Sequence, residues 1–285
     1  MDIVVQVCVF LIMAIVGLDL TRTDFGRIAE RPALVAGATV GQWLLLPLAA
    51  WAVAWALPLP PQIVAGTVLL AACPAGAISN YYTLIARADI ALSVTLTPIS
   101  TAASVITLPL ISAVGFNLLV EDESRIAAPI GPMAIQLIVN LLIPVMLGMW
   151  IRARYPEFVA RHKTKARRLG DTALVATVAF LLYGLRQSAL TNLGSTILVA
   201  VLFAVIAAAT GLMVGVALRA ERRQLLTLAI EFACRNNAIV VLIGLVVLDR
   251  PELAIFGLVV FLTQVPLVLG GVVAARRWRG ATATP

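Results

Sequence analysis

Residues 225–248 read LLTLAIEFACRNNAIVVLIGLVVL, an apolar run of membrane-spanning length that polar residues interrupt at its centre. The interruption consists of Glu231, Arg235, Asn236 and Asn237. A charge at the centre of a bilayer costs at least about 2.5 kcal/mol, so such residues usually face a cavity or each other and mark a functional site. Glu231 and Arg235 stand at i and i+4, so on one continuous helix they could also form a purely structural ion pair. The two amides favour a functional site, because an ion pair alone does not require them.

The composition places the chain among membrane proteins. Hydrophobic residues make up 61% of the 285 residues and charged residues only 12%, with a mean hydropathy of +1.03. Apolar runs of about twenty residues recur along the chain, which predicts an all-α polytopic membrane protein and excludes a soluble core. The net charge of +7 lies in short loops between these runs. It therefore indicates membrane orientation, with the lipid bilayer as a partner and no nucleic-acid partner.

Hydropathy predicts nine transmembrane helices in a single transmembrane domain that covers residues 1–285. The first run has no basic stretch before it and no small-residue cleavage site after it. We therefore expect a retained helix and not a signal peptide. The nine segments are residues 3–18, 33–56, 62–86, 90–116, 128–151, 172–184, 193–218, 225–248 and 253–275.

Lys and Arg are distributed unevenly over the predicted loops. The connections after segments one, three, five, seven and nine hold 17 of the 21 Lys and Arg residues, and the N-terminus with the other connections holds 3. Cytoplasmic loops carry the excess, so we predict a multi-pass protein of a bacterial-type inner membrane with its N-terminus outside and its C-terminus in the cytoplasm. Residues 152–168, which include His162, are then the longest predicted cytoplasmic loop. Their basic, amphipathic pattern favours contact with anionic lipid headgroups.

A second interruption lies in segment three, where residues 73–80 read CPAGAISN. Pro74 and Gly76 break a helix at mid-depth, and Ser79 and Asn80 can bond the freed backbone groups. Two interrupted apolar segments at corresponding positions of two halves indicate the binding site of a secondary transporter. Their offset of five segments is odd, so the two run in opposite directions, as inverted repeats require. Segments one to four then match six to nine, and a missing first helix would explain the odd total.

Segment four carries a polar stripe beside the interruption at residues 73–80. Its hydroxyl residues recur at spacings of three and four, so on a helix they share one face. For Ser100, Thr101 and Ser104 we expect only close helix packing, because small hydroxyl residues often serve that purpose in membranes. The whole stripe comprises Ser93, Thr97, Ser100, Thr101 and Ser104.

These residues resemble the bile acid:sodium symporter family over nearly the whole chain. The resemblance implies two inverted repeats, with two broken helices that cross at mid-membrane, and nine helices for a member without the first family helix. It also implies a core at about 33–116 and 193–275, and a panel at about 3–18, 128–151 and 172–184 that rocks against the core. The matching stretches are 17–20 (GLDL), 24–25 (DF), 73–80 and 91–97, followed by Glu231 and Asn236.

The same resemblance implies that sodium binds among oxygen-bearing side chains at the two interruptions. Sodium is a hard cation, and hydroxyl, amide and carboxylate oxygens, with the carbonyls of an unwound helix, are the ligands it prefers. Sodium is the only metal expected, as a coupling ion, and no cofactor is implied. A second sodium site is implied at Gln42, Glu231 and position 235. The first is implied at Ser79, Asn80, Ser93, Thr97 and Glu231.

Three positions depart from the family pattern. Arg235 stands where the second sodium site commonly has glutamine, and its fixed charge should repel a cation, so we expect coupling through one site. Ala77 stands where a hydroxyl is often found, and Asn237 replaces a smaller residue. We therefore expect a substrate pocket unlike that of bile acid carriers, with half-helix N-termini that offer donors to an anionic group. The predicted lining includes Gly76, Ala77, Asn236 and Asn237.

These features predict a secondary transporter of small or amphipathic organic anions that is coupled to sodium and works by alternating access. Three alternatives stay open: a sodium-independent or proton-coupled carrier, a pore, and a metalloid efflux carrier that uses the thiol of Cys73 or Cys234. A membrane-embedded enzyme is disfavoured, because the chain has one His and neither Gly-x-Ser-x-Gly nor His-Glu-x-x-His.

Overall fold

A computed structural model describes residues 2–20, 31–120, 126–184 and 193–281, and the pair at 24–25 lies outside these ranges. Within the described ranges the chain is helical and contains no β-strand. The helices are α1 (Asp2–Asp19), α2 (Pro32–Ala56), α3 (Pro61–Ala72), α4 (Ile78–Ile85), α5 (Ile90–Leu119), α6 (Ile130–Arg154), α7 (Pro156–Gly184), α8 (Leu193–Ala217), α9 (Arg222–Ala233), α10 (Asn237–Val247) and α11 (Pro251–Ala281).

Among the described residues, five helices are long and apolar enough to cross a membrane, namely α2, α5, α6, α8 and the part of α11 up to Ala274. Shorter apolar helices include α3 and α10. Large apolar side chains are exposed on the outer faces of the spans; Ile106 on α5 is 68% exposed and Val205 on α8 is 57% exposed. Such surfaces suit a hydrocarbon environment and not water. The prediction of a helical membrane protein is therefore confirmed.

Two short non-helical connections divide runs that hydropathy treats as single segments. The first separates α3 from α4, where Cys73 already has extended backbone angles (φ −62°, ψ 150°). Pro74 causes this break, because proline clashes with a preceding helical turn and lacks an N–H group. The second break separates α9 from α10 and contains neither proline nor glycine. Both predicted interruptions are thus present as breaks in the helices.

Glycines bring α1 into backbone contact with α6. A Cβ atom at Gly17 would lie 2.2 Å from the carbonyl oxygen of Val145, and one at Gly148 would lie 2.1 Å from that of Ala14. Only glycine fits at such distances, so the two helices pack backbone to backbone. α7 packs against both of them. These three helices form one packed group.

The remaining helices pack around the two breaks. α8 lies against α9, where a Cβ atom at Gly211 would be 2.5 Å from the carbonyl oxygen of Leu228. α3 lies between α5 and α11, with Gly66 directly beneath the ring of Phe256. The breaks therefore lie inside a closely packed group and away from the lipid-facing surface.

A polar network joins the N-terminal ends of α2, α5 and α9. Arg31 donates to Glu221 Oε1 at 2.5 Å and to Gln224 Oε1 at 3.1 Å. Asp89 caps α5 by accepting from the backbone N–H of Leu92, and its other oxygen lies 3.4 Å from Gln224 Nε2. The charge distribution of the sequence places these three helix ends on the same side of the membrane, as these contacts require.

The predicted connection at 152–168 is mostly helical. α6 continues to Arg154, and after Tyr155 α7 runs from Pro156 as one helix through the basic stretch into the apolar one. Hydropathy detects only the apolar half of α7. The polar half is rich in Ala, Arg and Lys, which favour a helix, and within α7 no glycine comes before Gly170.

Candidate functional site

The two breaks cross each other and exchange backbone hydrogen bonds. The N–H of Gly76 donates to the carbonyl of Cys234 at 2.8 Å, and the N–H of Asn236 donates to the carbonyl of Pro74 at 2.9 Å. In apolar surroundings a freed backbone group needs a partner within the protein. Each break supplies the partner that the other lacks, so the two breaks stabilise each other.

The crossing is also held from α5. Ala75 pairs with Arg235 as an isolated antiparallel bridge, and a Cβ atom at Gly76 would lie 3.1 Å from the carbonyl oxygen of Arg235. Ser100 Oγ accepts a hydrogen bond from the N–H of Ala75 at 3.3 Å. The prediction that Ser100 serves only close packing is therefore wrong, because its hydroxyl bonds a backbone group that the break has freed.

The carboxylate of Glu231 lies beside the crossing and is 0% exposed. Ser79 on α4 donates to its Oε1 at 2.6 Å, and the hydroxyl of Ser93 on α5 contacts the same oxygen. Thr97 Oγ1 lies 3.3 Å from Oε2, and Asn80 Oδ1 lies 2.7 Å from the hydroxyl of Ser93. The structure thus brings together all five residues that the sequence assigns to the first sodium site.

The chemistry of this cluster suits a hard cation. Each of its side chains presents an oxygen atom, and three helices, α4, α5 and α9, contribute them. Among the described residues, no cationic side chain bonds to Glu231, and a buried carboxylate needs a positive charge nearby to remain ionised. Hydroxyl groups can turn their lone pairs toward a cation. Sodium therefore fits this set of oxygen donors.

Arg235 has partners of its own in the crossing. Its side chain is 2% exposed; Nη1 donates to Gln42 Oε1 at 3.0 Å, and Nη2 donates to the carbonyl of Cys73. Gln42 lies in a π-helical turn at 41–45 within α2, and such turns are frequent at functional sites. Gln42 and Arg235, assigned by the sequence to the second cation site, are therefore in direct contact.

The structure does not contain the alternative arrangement in which Glu231 and Arg235 form an ion pair on one continuous helix. α9 ends at Ala233, so the two residues do not share the face of one helix. They bond to different partners, and these two described residues form no salt bridge with each other. Residues at i and i+4 share a face only on a continuous helix. Here α9 ends between Glu231 and Arg235, where the chain bonds to the first break.

A cavity of about 150 Å³ lies between α1, α7 and the two breaks. Apolar side chains such as Val9 on α1 and Leu181 on α7 form one wall. A neighbouring cavity of about 20 Å³ extends to Thr97 on α5. All four residues predicted to contact substrate line the larger cavity on the side of the breaks, together with Arg235: Gly76, Ala77, Asn236 and Asn237.

Two further residues at the site, Gln264 and Met13, are not among those predicted from the sequence. Asn237 Nδ2 donates to Gln264 Oε1 on α11 at 3.0 Å, and Asn236 Nδ2 lies 3.9 Å from the sulfur of Met13 on α1. Gln264 is an amide inside an apolar segment, which is a signal that could have found it. Met13 carries no such signal, because methionine is ordinary in an apolar helix.

The two buried cysteines end the half-helices that precede the breaks. Cys73 follows α3 and Cys234 follows α9, and both are 0% exposed. Neither is among the described residues that line the cavities. In the described part of the chain, no group of three or more His, Cys, Asp or Glu side chains is arranged to hold a metal ion.

Residues 6–193 match the sodium bile acid symporter family, a range that includes most of α1, the first break and the polar face of α5. The chain belongs to this family. This family member is 29% identical over 180 residues to YocS of Bacillus subtilis strain 168, which is named an uncharacterized sodium-dependent transporter. The match covers 63% of the chain and 54% of YocS. The chain is 30% identical over 150 residues to BASS2 of Oryza sativa subsp. japonica, a probable chloroplastic sodium/metabolite cotransporter, over 53% of the chain and 34% of BASS2.

A third relative is BASS1 of Arabidopsis thaliana, a probable chloroplastic sodium/metabolite cotransporter that is 39% identical over 97 residues, 34% of the chain and 24% of BASS1. The aligned part of this family member thus spans about half of YocS and a smaller share of the plant relatives. The names of the family and of these relatives describe transporters and not enzymes, which confirms that prediction.

Proposed function

We propose that the chain is a secondary transporter that moves small or amphipathic organic anions together with sodium through one sodium site. The observation that carries this proposal is the buried cluster of oxygen atoms around Glu231, at the crossing of two broken helices and beside a cavity. The names of YocS and BASS2, which describe sodium-dependent transport and sodium/metabolite cotransport, support it.

The proposed architecture has nine membrane spans in two inverted repeats, with α3 plus α4 as one span and α9 plus α10 as another. The two broken spans support it because they are built alike. α3 and α9 each contain 12 residues, and each ends at a cysteine before its break. The antiparallel pairing of Ala75 with Arg235 agrees with two repeats of opposite direction.

In the proposed mechanism α1, α6 and α7 form a panel, and the other helices form a core that carries the breaks. The packing of α1 on α6 and α7 supports this division, as does the position of the cavity between α1, α7 and the breaks. Rocking of the panel against the core would open the cavity to one side of the membrane and then to the other.

Sodium is proposed to bind before the cavity closes around the anion. Glu231 supplies the charge, and Ser79, Ser93, Thr97 and Asn80 supply neutral oxygen atoms. Because these residues come from three helices, a bound cation ties both breaks together. Ser79 lies two positions after Ala77, which lines the cavity. Ordering the first break around sodium therefore also shapes the substrate wall, which couples the two ligands.

Arg235 is proposed to take the place of a second sodium ion. Its guanidinium already bonds to Gln42 Oε1 and to the carbonyl of Cys73, the kinds of oxygen that a hard cation would use. A fixed positive charge at that position repels a further cation. We therefore propose that one sodium ion is moved in each transport cycle.

Thermal stabilisation of the purified chain tests sodium binding. A ligand that binds only the folded state raises stability by RT ln(1 + [L]/Kd), so sodium should raise the Tm of the wild type in a concentration-dependent way. Asn80→Ala and Glu231→Gln should each remove this shift and reduce sodium-stimulated uptake into proteoliposomes at least about tenfold. Ser104→Ala is the matched control, because its hydroxyl bonds only within α5. Unchanged sodium dependence in both site variants would contradict the proposal.

The other open readings give different results in the same vesicles. A proton-coupled or sodium-independent carrier would keep its uptake when potassium replaces sodium. A pore would show neither saturable uptake nor faster uptake of labelled substrate when unlabelled substrate is present on the other side of the membrane. A thiol-dependent metalloid carrier would lose all transport on replacement of Cys73 and Cys234 by alanine, whereas the proposed carrier keeps organic-anion uptake.

A further inference from the structure

We infer that the basic face of α7, formed by Arg161, Lys165 and Arg168, binds anionic phospholipid headgroups and thereby fixes one wall of the cavity. This face belongs to the polar half of α7, residues 156–170, and shares no residue with the crossing. Its depth in the membrane, its charge and its continuity with the cavity wall point to this partner.

The ends of α1 and α6 mark one boundary of the membrane. Arg152 in the last turn of α6 donates to the carbonyl of Leu18 in the last turn of α1 at 2.7 Å, so the two helices end at the same depth. Close to this point the exposed rings of Trp150 and Tyr155 meet edge to face, with 6.3 Å between their centroids. Trp and Tyr are enriched where the hydrocarbon of a bilayer meets the headgroups. The headgroup layer therefore lies at this level.

The polar half of α7 lies along this boundary. It begins at Pro156, directly after α6, and a Cβ atom at Gly170, its other end, would lie 3.2 Å from Ile15 of α1. Ile15 stands four residues before α1 ends at Asp19, which is about one helical turn. A helix from residue 156 to residue 170 is about 21 Å long. Because both of its ends lie close to the boundary, this half follows the membrane surface and does not project into the aqueous phase.

The side of this half that points away from the protein is cationic. Val159 is buried and Gly170 packs on α1, so these two residues mark the inner side. On the far side Arg161, Lys165 and Arg168 are exposed and recur at spacings of four and three, which places them on one face. Residues 158–170 contain no Asp or Glu. A cluster of basic side chains at this depth attracts anionic lipids.

The basic face also offers apolar contacts. The ring of Phe158 is exposed and stacks on His162, with 4.3 Å between the ring centroids, and Leu169 is exposed at the other end of the face. Helices that lie in the membrane interface combine such side chains with Lys and Arg, because the first reach the acyl chains and the second reach the phosphates. A free phosphate ion would make no use of Phe158 and Leu169. A phospholipid uses both kinds of side chain.

α7 connects this surface to the cavity. The helix continues from its basic half to Thr177 and Leu181, which line the cavity. Headgroups that hold the basic half therefore restrain the wall that the same helix provides. The sodium cluster lies on α4, α5 and α9, so lipid at α7 does not touch it.

Thermal unfolding of the purified chain in detergent, with added dioctanoyl lipids, tests the binding. Dioctanoyl phosphatidylglycerol should raise the Tm in a concentration-dependent way, and dioctanoyl phosphatidylcholine should not. A triple variant with Arg161→Gln, Lys165→Gln and Arg168→Gln should need at least about tenfold more phosphatidylglycerol for the same shift.

The matched control is a second triple variant with Arg87→Gln, Arg219→Gln and Arg223→Gln. It removes three exposed cations from other connections on the same side of the membrane and should respond to phosphatidylglycerol like the wild type. An equal loss of response in both triple variants would overturn the inference, because net charge and not the face of α7 would then attract the lipid.

Hydrogen exchange in vesicles tests the link to the cavity wall. Amides of residues 171–184 should exchange at least about threefold more slowly in an equimolar mixture of phosphatidylcholine and phosphatidylglycerol than in phosphatidylcholine alone. The α7 triple variant should show no difference between the two compositions. Unchanged exchange in the wild type would refute the link.

The wild-type chain decides the partner even if the α7 triple variant does not fold. A Tm shift with inorganic phosphate or polyglutamate as large as that with phosphatidylglycerol, or equal shifts with the two lipids, would overturn the inference. Neither readout requires sodium or a transported anion, so its result is independent of the proposed function.

Discussion

Individual residues at the crossing differ in how their buried charge is compensated. Glu231 accepts hydrogen bonds from hydroxyl groups that carry no net charge, whereas Arg235 donates to an amide oxygen and a backbone carbonyl. Neither charge is paired directly with the other. In the proposed mechanism a mobile cation is exchanged at the carboxylate, while the guanidinium remains as a permanent charge.

Arg235→Gln should change the number of sodium ions that act together. The variant removes the fixed charge and leaves Gln42, Glu231 and a new amide around a vacated oxygen-lined position, so a second cation can enter. We expect the Hill coefficient for sodium in uptake assays to rise from about one toward about two. Arg235→Lys keeps the charge and is the control, with a coefficient near that of the wild type.

A wild-type coefficient already near two would rule out the replacement of a second sodium by Arg235. A loss of substrate affinity in Arg235→Gln with unchanged sodium cooperativity would instead assign the guanidinium to the substrate carboxylate.

Ser100→Ala should destabilise the crossing without removing a sodium ligand. The substitution leaves the N–H of Ala75 buried without its acceptor, which costs about 1–3 kcal/mol. We expect a lower Tm and an unchanged sodium affinity. Ser104→Ala is the matched control on the same helix, since both hydroxyls donate to a carbonyl three residues earlier but only Ser100 accepts from the break. An equal fall in Tm for both variants would refute the role given to Ser100.

Among the helices, the two breaks and the α1–α6 contact have different sequence determinants. The first break is local, because Pro74 ends α3 wherever the chain lies. The second break contains no helix breaker, and its backbone is held by bonds to Pro74 and from Gly76. The α1–α6 contact depends on glycines that allow backbone approach.

Gly148→Ala should separate α1 from α6. The added methyl would lie 2.1 Å from the carbonyl oxygen of Ala14, a backbone atom that cannot move independently, so overpacking should cost about 1–3 kcal/mol. We expect a lower Tm and weaker substrate binding, because α1 lines the cavity. Gly131→Ala on α6 is the control: no atom lies within 4 Å of the added methyl, and alanine favours the helix. A Tm for Gly148→Ala equal to that of the wild type would disprove the close contact.

On the scale of the whole molecule, the polar network and the basic residues define one end of the protein. Arg31, Asp89 and Glu221 join the N-terminal ends of α2, α5 and α9, which the charge distribution assigns to the cytoplasm. The proposed orientation therefore agrees with the contacts among distant parts of the chain.

Labelling of introduced cysteines should report this orientation. In a background with Cys8, Cys73 and Cys234 replaced by alanine, His162→Cys on the exposed polar half of α7 should be protected from an impermeant thiol reagent outside the cell. Pro58→Cys, at an exposed position in the connection between α2 and α3, should react. Both positions should react after the membrane is permeabilised, which controls for access. The opposite pattern would overturn the orientation and the span count.

The sequence by itself determined the properties that depend on composition and short-range spacing. Twenty-residue apolar runs, the unequal distribution of Lys and Arg, and Pro74 act locally or through the solvent, so they predicted a helical membrane protein and the first break. The grouping of Ser79, Ser93 and Thr97 around Glu231 was also predicted, from a family resemblance that extends along most of the chain. The polar half of α7 was not predicted as part of a helix, because hydropathy detects only apolar segments.

The tertiary structure alone decided the contacts that join distant segments. It separated Arg235 from Glu231, because the hydrogen bonds of Asn236 and Gly76 are made across the crossing and end α9 where no local residue does so. It also brought Met13 to the cavity and Gln264 into contact with Asn237, and it left Asn237 Oδ1 without a partner. These features depend on which buried polar groups find hydrogen-bond partners once the helices have packed. The spacing of residues along one helix carries no information about partners that a different helix contributes.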